Sequence, residues 1–178
     1  FTITRRGLAA AGASKQKDIM DTTQFAPNGT GIDNGNYFGL PFDPEQCDLV
    51  LVSVPWDVTA SYGGGTAYGP DAIIGASTQL DLYEPLFPQG WRRGIGTVPI
   101  DYSIQERSGF LREDAVKVMK HLEHGGVVGD DYVRRKSERI NAACGAMNAK
   151  VKQSTQQWLD KGKIVGLVGG DDRTPLGP

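Results

Sequence analysis

Two short apolar runs constrain the fold of this chain more than any other feature. "LVLVSV" (Leu49–Val54) and "IVGLV" (residues 164–168) are rich in Val, Leu and Ile and lack a polar alternation. A strand with one wet face alternates, whereas a strand buried on both faces reads as a continuous apolar run. Pro55 closes the first run, and Gly169 with Gly170 closes the second. Far more chain lies between them than a hairpin needs. Residues 94–101, "GIGTVPID", form a weaker strand candidate. Leu111, Ala115, Val118, Met119 and Leu122 then follow helical spacing up to Gly125 and Gly126. A long helix is predicted over residues 132–160, where Val133, Ile140, Ala143, Met147, Val151 and Trp158 recur near the helical period; Gly162 ends it. Strands alternating with helices predict a three-layer α/β fold with a parallel sheet. In it, the two apolar runs should be neighbouring or near-neighbouring parallel strands, with the long helix packed on one face.

Residues 1–45 are expected to be an ordered N-terminal arm, and residues 46–178 the α/β domain. "FAPNGTGIDNGNYFGLPFDPEQ" is dense in Gly, Asn, Asp and Pro, which makes it loop and turn. Its aromatics, Phe25, Tyr37, Phe38 and Phe42, predict that the arm packs against its own domain or a neighbouring subunit. Around Arg5 and Arg6 the stretch "TRRGLAAAGA" is faintly like a twin-arginine signal, but its apolar part is too short for a signal core, so a helical or irregular arm is expected.

Composition excludes several classes. A net charge of −2 gives no electrostatic case for nucleic acid or an anionic membrane. No apolar run reaches the roughly 18 residues that a spanning helix needs. Cys47 and Cys144 are too few for a disulfide framework and form no C-x-x-C pair, so a reducing, cytoplasmic setting is expected.

"VGGDD" (residues 168–172) is the sharpest local motif. In a parallel α/β sheet, functional groups gather at the carboxyl ends of strands. Glycines there allow the backbone to turn sharply, and clustered carboxylates suit a hard cation such as Mn²⁺ or Mg²⁺. A helix cap by Asp, with Pro175 in the next first turn, explains the same letters equally well. A polymerase-type Gly-Asp-Asp hairpin is excluded, because "RTPLGP" cannot form the following central strand. Gly129-Asp130-Asp131 repeats the letters before a helix, where capping accounts for them. "SYGGGTAYGP" lacks the Lys-Ser/Thr of a P-loop and does not fit G-x-G-x-x-G. It reads as a flexible loop, with Pro70 and Asp71 suited to a helix start and Ile73, Ile74 and Leu80 expected along one helical face. His121 and His124 read as surface residues at a helix end.

Taken together, three stretches resemble the ureohydrolase family of arginase, agmatinase, guanidinobutyrase and guanidinase. "LVSVPWDVTASYGGGTAYGPDAIIGAS" is similar to the family's first strand, its loop and the Gly-Pro-x-x-Ile helix start. "GIGTVPID" is similar to the second strand, and "GKIVGLVGGDDRTPLG" to the strand bearing Gly-Gly-Asp-His-Ser. "NGTGIDNGNYFGLPF" resembles the longer agmatinase-like and guanidinase-like branch. The resemblance implies an arginase-like three-layer α/β fold, incomplete in these residues. It also implies a pair of Mn²⁺ ions, or Ni²⁺, that activate a bridging water, a small guanidinium substrate such as agmatine or guanidine, release of urea, and a homo-oligomer, trimer or hexamer. On this resemblance Thr59 and Ser61 would be substrate-binding, Asp172 a metal ligand, and Asp171 the neighbour that orients it. Asp172 and Arg173 stand where the family has His and Ser. Asp-Ala-His-x-Asp and Asp-x-Asp have no match, so the residues are expected to be roughly the N-terminal half of such a domain. The competing expectation is a non-catalytic, truncated or degenerate homologue that binds or scaffolds others through its arm and an unpaired sheet edge.

Overall fold

The computed structural model describes residues 2–4 and 25–171 and is an α/β structure. Its strands are β1 (Thr2–Thr4), β2 (Leu49–Val54), β3 (Ile95–Thr97) and β4 (Ile164–Gly169). Its α-helices are α1 (Gly69–Ser77), α2 (Tyr102–Glu123) and α3 (Asp131–Asp160). The sheet order is β1-β4-β2-β3. β2 pairs in parallel with both β4 and β3, so the two apolar runs are adjacent parallel strands. Asp172, Arg173 and the stretch around Arg5 and Arg6 lie outside the described residues.

The three layers follow from the side-chain alternation of two doubly buried strands. Val50, Val52 and Val54 of β2, with Val165 and Leu167 of β4, face α2 and α3 and pack on Leu111, Ile140, Met147 and Val151. Leu51 and Val168 face the other way, onto Tyr37 and Ile74. Each such side chain contributes about 1.5–3 kcal/mol when fully buried. A one-residue register slip would exchange the faces of a whole strand. Among the described residues no helix is long and apolar enough to cross a membrane.

α2 and α3 form an antiparallel pair, and local capping sets their starts. The Asp101 carboxylate accepts from Ser103 N–H at 3.0 Å, and the Asp130 carboxylate accepts from Val133 N–H at 2.7 Å. Gly162, at φ 74°, follows the end of α3. Cross-helix pairs run in opposite order along the two helices: Asp101–Lys150 at 2.8 Å, Asp114–Lys136 at 2.6 Å and Asp130–His121 at 2.7 Å. His121 is therefore more than a surface residue, because it ties the end of α2 to the cap of α3. The Lys150 ammonium holds the Asp101 carboxyl below the usual carboxylate range, and Lys136 does the same for Asp114. For Asp130 the main cause is the Val133 N–H, followed by His121.

The arm differs from a purely looped segment in one respect. Thr2–Thr4 form an antiparallel strand against Val165, Gly166 and Leu167. An edge strand presents unpaired N–H and C=O groups, and a short extended segment satisfies them whatever its own propensity. The edge on which a scaffold role would depend is thus partly covered. On β3, a Cβ on Gly96 would lie 2.5 Å from Cα of Pro44, so the 3₁₀ turn Pro44–Gln46 packs closely on one face of that strand.

Residues 25–46 pack on their own domain. Tyr37, Leu40 and Phe42 are buried. Trp91 gathers Phe25 and Phe42 at ring-centroid distances of 5.2 Å and 6.2 Å. Tyr37 N–H donates to Thr97 Oγ1 at 2.9 Å, and its hydroxyl meets Ser53 Oγ at 2.8 Å. Burial raises the Tyr37 phenol above its ordinary pKa. Phe38 holds a left-handed φ of 63° while its N–H donates to Ser77 Oγ at 2.7 Å, a contact that helps to hold this costly conformation.

One helical-face expectation is corrected. Ile74 is 8% exposed, but Ile73 is 45% and Leu80 57% exposed. Adjacent residues on a helix point about 100° apart, and here Ile74 faces the core while Ile73 turns outward. Leu80 lies beyond Ser77, where α1 has ended.

Candidate active site

The parallel strands deliver their carboxyl ends to one side of the sheet, the usual location for function in such folds. β2 runs into Pro55, Trp56 and Asp57, and β4 into Gly169, Gly170 and Asp171. Gly170 N–H donates to Val54 O at 3.3 Å, which ties the two ends together. Neither Gly169 nor Gly170 has a positive φ, so a sharp turn does not explain them. Close approach explains Gly170: a Cβ there would lie 2.4 Å from the carbonyl oxygen of Thr66.

Residues 57–65 form the loop after β2. At its root Asp57 is only 4% exposed. Its Oδ2 accepts from Gly65 N–H at 2.8 Å, and its Oδ1 accepts from the Ser108 hydroxyl at 3.0 Å. Ser108 Oγ in turn accepts from Asp57 N–H at 3.0 Å. The loop closes through Gly63 and Gly65 at φ 72° and 102°, which a residue with a side chain would adopt only under strain. From α2, the Arg112 guanidinium donates to Val58 O at 3.1 Å, to Ala60 O, and to Gly63 O at 2.8 Å.

Of the site residues expected from sequence, the structure brings two together. Thr59 Oγ1 donates to Asp171 Oδ2 at 3.3 Å, joining the first loop to the end of β4. Ser61 lies on the exposed outer part of the same loop. Asp172 is outside the described residues. A cavity of about 610 Å³ lies elsewhere, bordered by Asn28, Gly31, Thr78, Asp81 and Tyr83, and touches none of these residues.

Sequence reading missed Asp57, Ser108 and Arg112. Ser108 and Arg112 are four residues apart on α2, a spacing that places both on one face. Ser108 also interrupts the apolar stripe of Ile104, Leu111 and Ala115 while fully buried, and a buried serine in such a stripe needs a polar partner.

The site's chemistry is that of an acceptor-rich rim. A carboxylate and a hydroxyl meet at the strand ends and can accept N–H donors from a small cation. Among the described residues no group of three His, Cys, Asp or Glu could hold a metal ion. Asp57 is committed to Gly65 and Ser108 at the loop root, and Asp171 is a second carboxylate, on the rim, that accepts from Thr59. The described residues therefore do not by themselves fit a binuclear metal centre.

No curated protein and no solved structure matches the chain. The model of the arginase family matches residues 47–177, a span that takes in all three parallel strands, the loop after β2 and the Gly-Gly-Asp-Asp strand end. With its three-strand parallel sheet between helical layers, the chain belongs to the arginase family, whose members are metal-dependent hydrolases of guanidino compounds.

Proposed function

We propose that this chain supplies the substrate-side wall of a ureohydrolase-type site for an agmatine- or guanidine-like compound, with release of urea. The observation that carries this reading is the meeting of Thr59 and Asp171 at the carboxyl ends of β2 and β4. A guanidinium group is planar, carries only N–H donors and keeps its charge at any working pH. Its binding wall needs acceptors held in fixed positions, and a carboxylate beside a hydroxyl supplies them. Asp171 accepts from the cation, Thr59 orients Asp171, and Ser61 offers a further hydroxyl as substrate arrives. Asp172, which follows Asp171 in sequence, is the proposed metal-side residue, with Mn²⁺ or Ni²⁺ as its ion. A cytoplasmic homo-oligomer, trimer or hexamer, completes the proposal.

Substrate binding is tested by NMR titration of the chain with guanidine, agmatine and arginine. Agmatine or guanidine is expected to shift the resonances of Thr59 and Asp171. Thr59→Val and Asp171→Asn should each weaken binding about tenfold, as loss of a hydrogen bond to a charged group does. No shift with any of the three compounds, or equal binding by both variants, would sink the reading. Metal is read separately. After dialysis against Mn²⁺ or Ni²⁺, residues 1–178 by themselves should retain less than one ion per chain and release no urea, because Arg173 adds positive charge beside Asp172 and few ligands are present. Stoichiometric metal would overturn that part.

A further inference from the structure

The loop that carries Thr59 is shaped around a guanidinium group belonging to the protein itself. The carbonyls of Val58, Ala60 and Gly63 all converge on Arg112. Carbonyls two residues apart, such as those of Val58 and Ala60, face one way even in an extended chain, but bringing the Gly63 carbonyl to the same guanidinium requires the curled path that Gly63 and Gly65 allow. Among the described residues no carboxylate pairs with Arg112, and carbonyl dipoles face its charge instead. A Cβ on Gly64 would lie 3.6 Å from Arg112 Nε, so the side chain also fills the inside of the loop. Thr59 sits between two of the three carbonyls that form this cradle, and its hydroxyl reaches Asp171 from there. Without a cation, like-oriented carbonyl dipoles repel one another and the loop loses its inner support.

We propose that Arg112 is a positioning residue for Thr59, and that the cradle of Val58, Ala60 and Gly63 carbonyls is a guanidinium-binding site that free guanidinium reoccupies when the side chain is removed. An ammonium does not replace it, because a compact point charge cannot present a planar fork to three carbonyls at once. The inference adds to the proposed function but is read out without substrate turnover.

Tyr62, at the tip of the loop, is fully exposed. Chymotryptic cleavage after Tyr62, mapped by mass spectrometry, therefore reports loop opening, while cleavage after the buried Leu167 of the central strand β4 reports global unfolding. Arg112→Ala should raise cleavage after Tyr62 about tenfold, the loss expected when hydrogen bonds to a charged group are removed. It should leave cleavage after Leu167 unchanged. Millimolar guanidinium chloride should restore protection in this variant, whereas ammonium chloride at the same ionic strength should not. Arg112→Lys should remain cleavable and gain nothing from guanidinium, and Arg107→Ala, on the same helix, should behave like the wild type. Should Arg112→Ala unfold, Arg112→Met keeps the aliphatic stem and carries the same test. An unchanged rate after Tyr62, or failure of guanidinium to restore it, overturns the proposal. Equal protection of the wild type by guanidinium would assign the effect to the Thr59–Asp171 rim and overturn it as well. If the proposed hydrolase reading fails, these cleavage rates are untouched.

Discussion

The ends of β2 and β4 each carry an aspartate on the same side of the sheet, yet the two carboxylates are used differently. Asp57 is buried, and its two oxygens are taken by Gly65 N–H and the Ser108 hydroxyl. Asp171 is partly exposed and meets a hydroxyl from the neighbouring loop. A carboxylate at a strand end is therefore not a site residue by position alone. One of these folds the loop, and the other stands on the rim that the folded loop creates. Arg112 belongs with the first, since it holds the loop from inside while Asp57 holds it at the root.

The sharpest way to break this comparison is to remove each carboxylate in turn. Asp57→Ala leaves Gly65 N–H and Ser108 without their shared acceptor and should destabilise the chain by about 3 kcal/mol in urea unfolding. Asp171→Ala should cost clearly less than Asp57→Ala, because Asp171 is only half-buried. Equal losses at the two positions would show that both are structural. Next in size is Gly170→Ala, which drives a methyl toward the Thr66 carbonyl and should cost about 2 kcal/mol. A neutral result would mean that the two strand ends have room to separate. Ser108→Ala should follow at about 1 kcal/mol, because it removes one donor from Asp57 and the acceptor of Asp57 N–H.

The smallest effect is expected with pH, and it should fall away from the site. Asp101, Asp114 and Asp130 have folded-state pKa values below the ordinary carboxylate value. A depressed folded pKa gives stability that is present above about pH 4 and is lost as pH falls through the folded value. Acid should therefore loosen the α2–α3 pair first, read as helix loss by circular dichroism and amide exchange as pH falls below about 4. Loss of protection beginning in residues 57–65 instead would place the acid-sensitive contact at the loop root.

Some of this was readable from the chain alone, and the reason is local. A strand buried on both faces must be apolar throughout, so Leu49–Val54 and the run from Ile164 announce themselves by composition. The long helix shows its 3.6-residue period, Asp130 caps it three residues from its partner, and Gly162 closes it. Motif resemblance pointed to the family that the match over residues 47–177 then showed. The pairing of Asp57 with Ser108 spans 51 residues, and that of Arg112 with Val58 spans 54. Contacts across such distances leave no periodicity or spacing in the chain, because either partner is an ordinary polar residue until the fold brings the other to it. The same holds for β1, three residues whose strand state comes from the open edge of β4, and for Gly170, whose missing side chain answers to Thr66 rather than to its own φ. The sequence by itself determined the layers, the two central parallel strands and where the two longer helices stop. Which of two aspartates shapes the loop and which faces the rim was decided only in three dimensions, by burial and by partners that arrive from another helix.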